Sequence, residues 1–136
     1  MELINPVIPN LRIREIIKNL LALSLEQPQV EIDAIHTQIP GLTAKTIYIK
    51  AGTMLVGKVH LKAHINLMSH GDITVFTEEG LERLKGFNIM PCNPGTARVG
   101  IAHQDTVWTT FFMSDETDPQ QAENSCTSAT YSLLEN

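Results

Sequence analysis

Residues 58–68, KVHLKAHINLM, decide the fold, because two kinds of side chain alternate along them without a break. The even positions carry two lysines, two histidines, an asparagine and a methionine, whereas every odd position is apolar. A period of two places successive side chains on opposite faces of a β-strand. The run is long for one strand, so we expect a turn near residues 61–63 to divide it.

The chain on both sides of this run consists of short segments rich in Val, Ile, Thr and aromatic residues, separated by glycine and proline. Such segments are typical of β-strands. The predicted strands cover residues 30–37, 44–50, 53–60, 64–69, 72–77, 81–85, 87–91, 97–102 and 105–112. No helical pattern lies between them, which favours an all-β sandwich or closed barrel over an α/β fold.

The two ends differ from this β region. Residues 1–29 contain a predicted helix over about 11–25, which Asn10 can cap and Pro28 should end. Its apolar positions form one stripe. The stripe consists of Ile13, Ile16, Ile17, Leu20 and Leu21. Residues 30–113 form the predicted barrel. Residues 114–136 are polar, and we expect them to be weakly ordered or to dock on a neighbouring subunit.

Composition limits the function. The chain has 136 residues, of which 43% are hydrophobic and 18% charged, as expected for one globular domain. No apolar run approaches the roughly 20 residues that span a bilayer. The N-terminus shows no secretion signal, so we expect a cytoplasmic location and no membrane partner. The net charge of -5 argues against general nucleic-acid binding. Two cysteines without a CxxC spacing indicate free thiols.

The polar face of residues 58–68 is the first candidate site. It either lines a barrel mouth or faces bulk water, and composition alone favours water. Arg98, after the turn at residues 93–95, could bind a carboxylate or phosphate in the barrel, or pair with Asp105. Trp108 is expected to pack in the core, with a stacking platform for a ligand ring as the alternative.

A divalent transition metal is the cofactor that the histidines suggest. His60 and His64 could share one ion, but a catalytic metal site needs about three protein ligands, so His36 or His103 would have to join them. Histidines that are exposed or hydrogen-bonded are the alternative. The usual motifs for serine hydrolases, phosphate loops, dinucleotide binding and zinc proteases are absent. Cys92 could be a nucleophile, although an inert buried thiol is commoner.

Three stretches together carry a family resemblance. They are IKAGTMLVGKVHLKAHINLMSHGDITVFTEEG (residues 49–80), PCNPGTARVGIAHQDTVWTTFF (residues 91–112) and SDETD (residues 114–118). In this order they resemble small cupin-like proteins of tailed bacteriophages and prophages over roughly residues 32–118. The positions that match the family pattern are Gly52, Gly57, His60, His64, Gly71, Pro94, Gly95, Arg98, Asp105 and Trp108.

The resemblance implies a cupin-type jelly-roll barrel that assembles at least as a dimer, and it suggests a phage origin. It implies no particular reaction, because the cupin fold hosts many functions. Two departures argue against metal catalysis. The general cupin motif has an HxH pair and a later Glu, whereas this chain has HLKAH without that Glu. Relatives place a histidine after the DTVWTT strand, where Phe111 and Phe112 stand here.

Three functions from different classes follow. The first is a non-enzymatic cupin in the host cytoplasm that binds a small anionic molecule, such as a nucleotide-derived host defence signal, and sequesters it. Its expected ligand-binding residues are His60, Lys62, His64, Arg98 and Trp108. The second is a virion structural or assembly protein. The third is a metal-dependent enzyme acting on a sugar, small acid or nucleotide, with His60, His64 and His103 as its metal ligands.

Overall fold

A computed structural model describes residues 32–77 and 80–128, together with Glu15 and Asn19. Within these ranges the chain forms β-strands followed by one helix and a last short strand. In chain order the elements are β1 (Asp33–Ile39), β2 (Gly41–Ile49), β3 (Met54–Val56), β4 (Val59–His60), β5 (His64–His70), β6 (Asp72–Thr77), β7 (Gly80–Lys85), β8 (Asn88–Cys92), β9 (Val99–Ala102), β10 (Thr106–Ser114), α1 (Pro119–Cys126) and β11 (Thr127–Ser128).

Two antiparallel sheets enclose the core. One has five strands in the order β1-β2-β10-β5-β8, and the other has four in the order β3-β9-β6-β7. The buried core cluster draws side chains from both sheets. Its members are Ile49, Met68, Ile73, Val75, Leu84, Ala102 and Trp108. The sandwich or barrel predicted from the sequence is therefore confirmed, and the burial of Trp108 at 8% exposure confirms its predicted core packing.

The alternating run behaves as its period predicts. A turn at residues 61–63 divides it into β4 and β5. Along β5, His64, Asn66 and Met68 are buried, while Ile65 is exposed. The face that composition assigned to bulk water thus points between the sheets, because the second sheet covers it.

Gly71 joins β5 of the first sheet to β6 of the second. Its φ is +131°, a conformation that costs glycine little because it has no Cβ. A Cβ at this position would lie 2.3 Å from Thr106 Oγ1. That hydroxyl accepts a hydrogen bond of 3.3 Å from the Asp72 amide and donates one of 2.9 Å to the Gln104 carbonyl. The corner therefore depends on the close approach of this glycine to Thr106.

The chain ends are the least predictable part. The helix predicted over residues 11–25 lies outside the described residues, apart from Glu15 and Asn19, so the described structure does not support the N-terminal helix of the predicted fold class. Within the described ranges, the ordered helix is α1, in the segment for which the sequence suggested weak order. No helix in these ranges is long and apolar enough to cross a membrane.

Capping explains why α1 forms in a polar segment. The Asp118 carboxylate accepts a hydrogen bond of 3.0 Å from the Gln121 amide, and Pro119 opens the helix. Both features favour a helix N-terminus. Ala122 and Cys126, one turn apart, then pack with Phe112 of β10 in a second buried cluster. Two small buried side chains are enough to dock the helix, although they give no recognisable apolar period.

Candidate functional site

A cavity of about 300 Å³ lies between the two sheets. Its apolar end is formed by side chains of the core, namely Ile47, Ile49, Leu55, Ile73, Val75 and Trp108. Its polar end lies beside α1 and consists of Lys45, Lys58, His60, Asn66, Arg98, Thr110 and Glu123.

The register of the five-stranded sheet brings three residues of the polar end side by side. Lys45 of β2 lies opposite Thr110 of β10, and Thr110 lies opposite Asn66 of β5. Thr110 Oγ1 donates a hydrogen bond of 2.8 Å to Asn66 Oδ1. The Asn66 amide then donates one of 3.4 Å to Cys92 Sγ. This chain of contacts fixes the wall of the cavity before any ligand enters.

Arg98 contributes a guanidinium to the polar end. Its Nη2 donates to Cys92 Sγ at 2.9 Å, and its backbone carbonyl accepts a bond of 2.8 Å from the Gly57 amide. The alternative pairing with Asp105 is wrong, because the Asp105 carboxylate accepts instead from the Ala51 amide at 2.9 Å. Among the described residues Arg98 thus faces the Cys92 sulfur and has no carboxylate partner.

Glu123 of α1 is the only acid among the described lining residues of the cavity. It forms an ion pair with Lys45 and lies 3.8 Å from Lys58 Nζ. Burial opposes its ionisation, but the two lysines outweigh burial and lower the pKa of this carboxyl group. Sequence reasoning missed Glu123. The Asp118–Pro119 cap signal could have placed a helix there.

His60 and His64 form a stacked pair with ring centroids 4.0 Å apart. Burial, together with the neighbouring His64 and Arg98, lowers the pKa of His60 to about 3. Burial also lowers the pKa of His64, whose Nδ1 lies 3.1 Å from the Lys62 carbonyl. His64 Nε2 is buried and has no hydrogen-bond partner among the described residues. Both rings are therefore neutral at neutral pH.

These donors do not fit the metal site that the cupin resemblance suggests. A metal ion binds the nitrogen lone pair of an imidazole, which lies in the plane of the ring. In two stacked rings these lone pairs run side by side and do not converge on one ion. His103 is engaged elsewhere, with Nε2 2.6 Å from Thr74 Oγ1. No group of three His, Cys, Asp or Glu side chains in the described ranges could hold an ion. The predicted set of His60, His64 and His103 is not brought together.

The remaining predicted ligand-binding residues fall in different places. Lys62 is exposed in the turn between β4 and β5 and does not line the cavity, because the break in the strand at residues 61–63 turns it outward. His64 lies behind His60 and is not among the lining residues. Trp108 lines the apolar end. A role for His60, Arg98 or Trp108 in binding stays a prediction.

Comparisons with known proteins identify the fold. No protein-family model and no curated protein matches the sequence. Solved structures do match. KdgF from Halomonas sp. aligns with a TM-score of 0.56 and 18% identity, over 68% of this chain and 88% of that one. A cupin superfamily protein from Desulfitobacterium hafniense aligns with a TM-score of 0.55 and 9% identity, over 71% and 88%.

A third match is ectoine synthase from P. lautus, with a TM-score of 0.57 and 9% identity, over 73% of this chain and 75% of that one. Identities this low show the fold and nothing about activity. The chain has the cupin jelly-roll fold, as the sequence resemblance implied. The phage origin that the resemblance suggested stays a prediction.

Proposed function

We propose that this cupin binds a small anionic molecule in its cavity and does not transform it. The observation that carries the proposal is the guanidinium of Arg98, which lines the cavity and has a thiol as its side-chain partner within the described residues. Arg98 is half-buried; a partly desolvated cation without a counter-charge is costly, and an anionic ligand offsets that cost with charge-assisted hydrogen bonds.

The charges of the described lining residues support an anionic ligand. Lys45, Lys58 and Arg98 supply three positive charges against the one negative charge of Glu123, a net charge of +2. The depressed pKa of His60 keeps its imidazole neutral, so it adds hydrogen-bonding capacity without charge. A cavity with this balance favours an anion, although the whole chain carries -5.

The apolar end indicates what the rest of the ligand is like. Ligand cavities span about 300–1,000 Å³, so this cavity is near the lower limit. It suits one ring with one anionic group, the size of a mononucleotide or smaller, and Trp108 offers the ring an apolar surface. Sequestration of a nucleotide-derived host defence signal is the biological role that we propose on the basis of the sequence resemblance.

Titration of the wild type and Arg98→Ala with a panel of linear and cyclic mononucleotides tests the proposal. Loss of a charge-assisted contact worth about 1.5–3 kcal/mol should weaken binding roughly tenfold or more. Lys62→Ala is the matched control, because it removes a cation that lies outside the cavity and should leave affinity unchanged. Equal binding by wild type and Arg98→Ala, or no binding of any panel member, would reject the anion site.

A second candidate function is that of an assembly module of a virion. It is supported by the outer face of the five-stranded sheet, defined here as its solvent-facing residues on β1, β2, β10, β5 and β8. Exposed large apolar residues of this face are Ile35, Ile39, Leu42, Tyr48, Ile65, Ile89 and Met113. Apolar faces of this extent mark interaction surfaces. Copurification with virions in fixed stoichiometry would favour this function over a free ligand binder.

A further inference from the structure

We infer that Glu123 is an internal competitor for the ligand: it occupies the anion position between Lys45 and Lys58 and makes the cavity select a phosphate-like dianion over a singly charged carboxylate. The inference rests on the proposed anion-binding function. It goes beyond that function because it assigns a regulatory and selective role to a residue of α1 that sequence reasoning did not identify.

The geometry places one carboxylate against two cations from other elements. Lys45 comes from β2, and Lys58 precedes β4, whereas Glu123 comes from α1 near the C-terminus. One Glu123 oxygen binds Lys45 Nζ, and the other lies 3.8 Å from Lys58 Nζ. The Glu123 side chain is only 10% exposed. An incoming anion at the polar end therefore meets lysines that already have a partner.

The backbone around Glu123 is anchored on both sides. Asp118 caps α1 at its start, and Thr127 Oγ1 donates 2.9 Å to the Glu123 carbonyl at its end. Thr127 also pairs with His60 across β11 and β4. A ligand therefore displaces the carboxylate by rotating one side chain, and the helix stays in place.

A hydrogen-bond donor for the displaced carboxylate is already present. Gln120 Nε2 donates to Glu123 Oε2 at 3.2 Å and lies on the exposed side of α1. When an anion takes Lys45 and Lys58, Glu123 can keep this hydrogen bond while it gives up its ion pairs. This hydrogen bond is worth more to the displaced carboxylate, which has lost its two lysines, than to the ion-paired one, so Gln120 lowers the cost of displacement.

Competition of this kind discriminates by charge. A monocarboxylate offers the lysines no more charge than Glu123 does, and it also loses translational and rotational entropy when it binds. Replacement of the Glu123 carboxylate by a monocarboxylate is therefore unfavourable. A phosphate group carries about -1.5 to -2 at neutral pH and has three acceptor oxygens, so it binds both lysines more strongly than Glu123 does. The ligand class that follows is a phosphate monoester or an equivalent dianion.

Isothermal titration with inorganic phosphate and with acetate, at pH 7.5 and low salt, tests the inference. Removing the competitor in Glu123→Gln should tighten phosphate binding about tenfold or more and should narrow the preference for phosphate over acetate. Glu116→Gln is the matched control, because it removes the same charge from an exposed residue outside the cavity. Unchanged or weaker phosphate binding by Glu123→Gln would overturn the inference.

Gln120→Ala provides a test that leaves Lys45, Lys58 and Glu123 themselves unchanged. Without the hydrogen bond from Gln120 the Glu123 carboxylate is harder to displace, so phosphate should bind roughly threefold more weakly. An unchanged affinity in this variant would also count against the inference. Arg98→Ala separates the two claims: if it has wild-type phosphate affinity, the proposed function fails, whereas if it binds weakly and Glu123→Gln shows no gain, only the competitor role fails.

Discussion

The imidazole rings of His60 and His64 are stacked with their planes inclined by 22°, and His60 has its pKa lowered to about 3 by burial. A proton on either ring would lie against the other and beside Arg98. The stack is therefore stable only while both rings are neutral, and this links the fold to pH.

Acid should destabilise the protein through His60. In the unfolded chain its pKa is about 6.5, whereas in the folded chain it is about 3. Between these values the unfolded state binds the extra proton, so the free energy of unfolding falls as the pH is lowered from 6.5 towards 3. At pH 4.5 the loss should be on the order of 3 kcal/mol. Urea denaturation at pH 7.5 and 4.5 measures it.

His60→Gln should show a smaller difference between these two pH values, because it removes the titrating group. His70→Gln, a change at an exposed end of β5, should keep the wild-type difference. The comparison uses the difference in the free energy of unfolding between the two pH values. A destabilisation that is equal at both pH values therefore does not affect it. An equal pH dependence in wild type and His60→Gln would contradict the assignment.

Metal removal should leave the fold and the binding of phosphate unchanged. The stacked rings of His60 and His64 do not converge on one ion, and His103 contacts Thr74 instead. Native mass spectrometry before and after chelation, with melting curves of both samples, measures this. Retention of one transition-metal ion per chain through purification, lost in His60→Ala, would show that the histidines rearrange into a metal centre.

Trp108→Ala should destabilise the fold by about 3–5 kcal/mol, because the ring belongs to the main core cluster. It pairs with Ile47 on one side and Met68 on the other. Urea denaturation gives the value. Trp108→Phe, which keeps most of the buried area, should lose much less of the free energy of unfolding. A normal melting temperature for Trp108→Ala would show that the indole contributes little packing and serves the cavity alone.

The protein should associate into at least two subunits through the outer face. Strand spacing and rise give this face a total area of roughly 550 Å² over five strands of about seven residues, and seven exposed large apolar residues lie on it. Ile65→Lys should cause dissociation, whereas Leu81→Lys on the other sheet should not. Sedimentation at micromolar concentration measures both. A strict monomer in the wild type would reject the prediction.

Sequence patterns predicted the strands well, because a period of two shows which side chains share a face, although it did not show which of the two faces is covered. The assignment of His64, Asn66 and Met68 to one face is an example. The same alternation misplaced Lys62, since a turn interrupts the period at that residue. Glu123 could not be found in this way. Its position depends on a helix docked by two small side chains and on lysines far away in the sequence.

The contact between Gly71 and Thr106 ties together two positions that are distant in the sequence. Any side chain at residue 71 would collide with the Thr106 hydroxyl and its Cβ. The Thr106 Cα would also lie only 2.6 Å from a Cβ at position 71, so a smaller residue at position 106 would not make room for one. In an alignment of homologues position 71 should therefore stay glycine whatever residue stands at position 106, and a substitution at Gly71 should mark a protein whose two sheets meet differently.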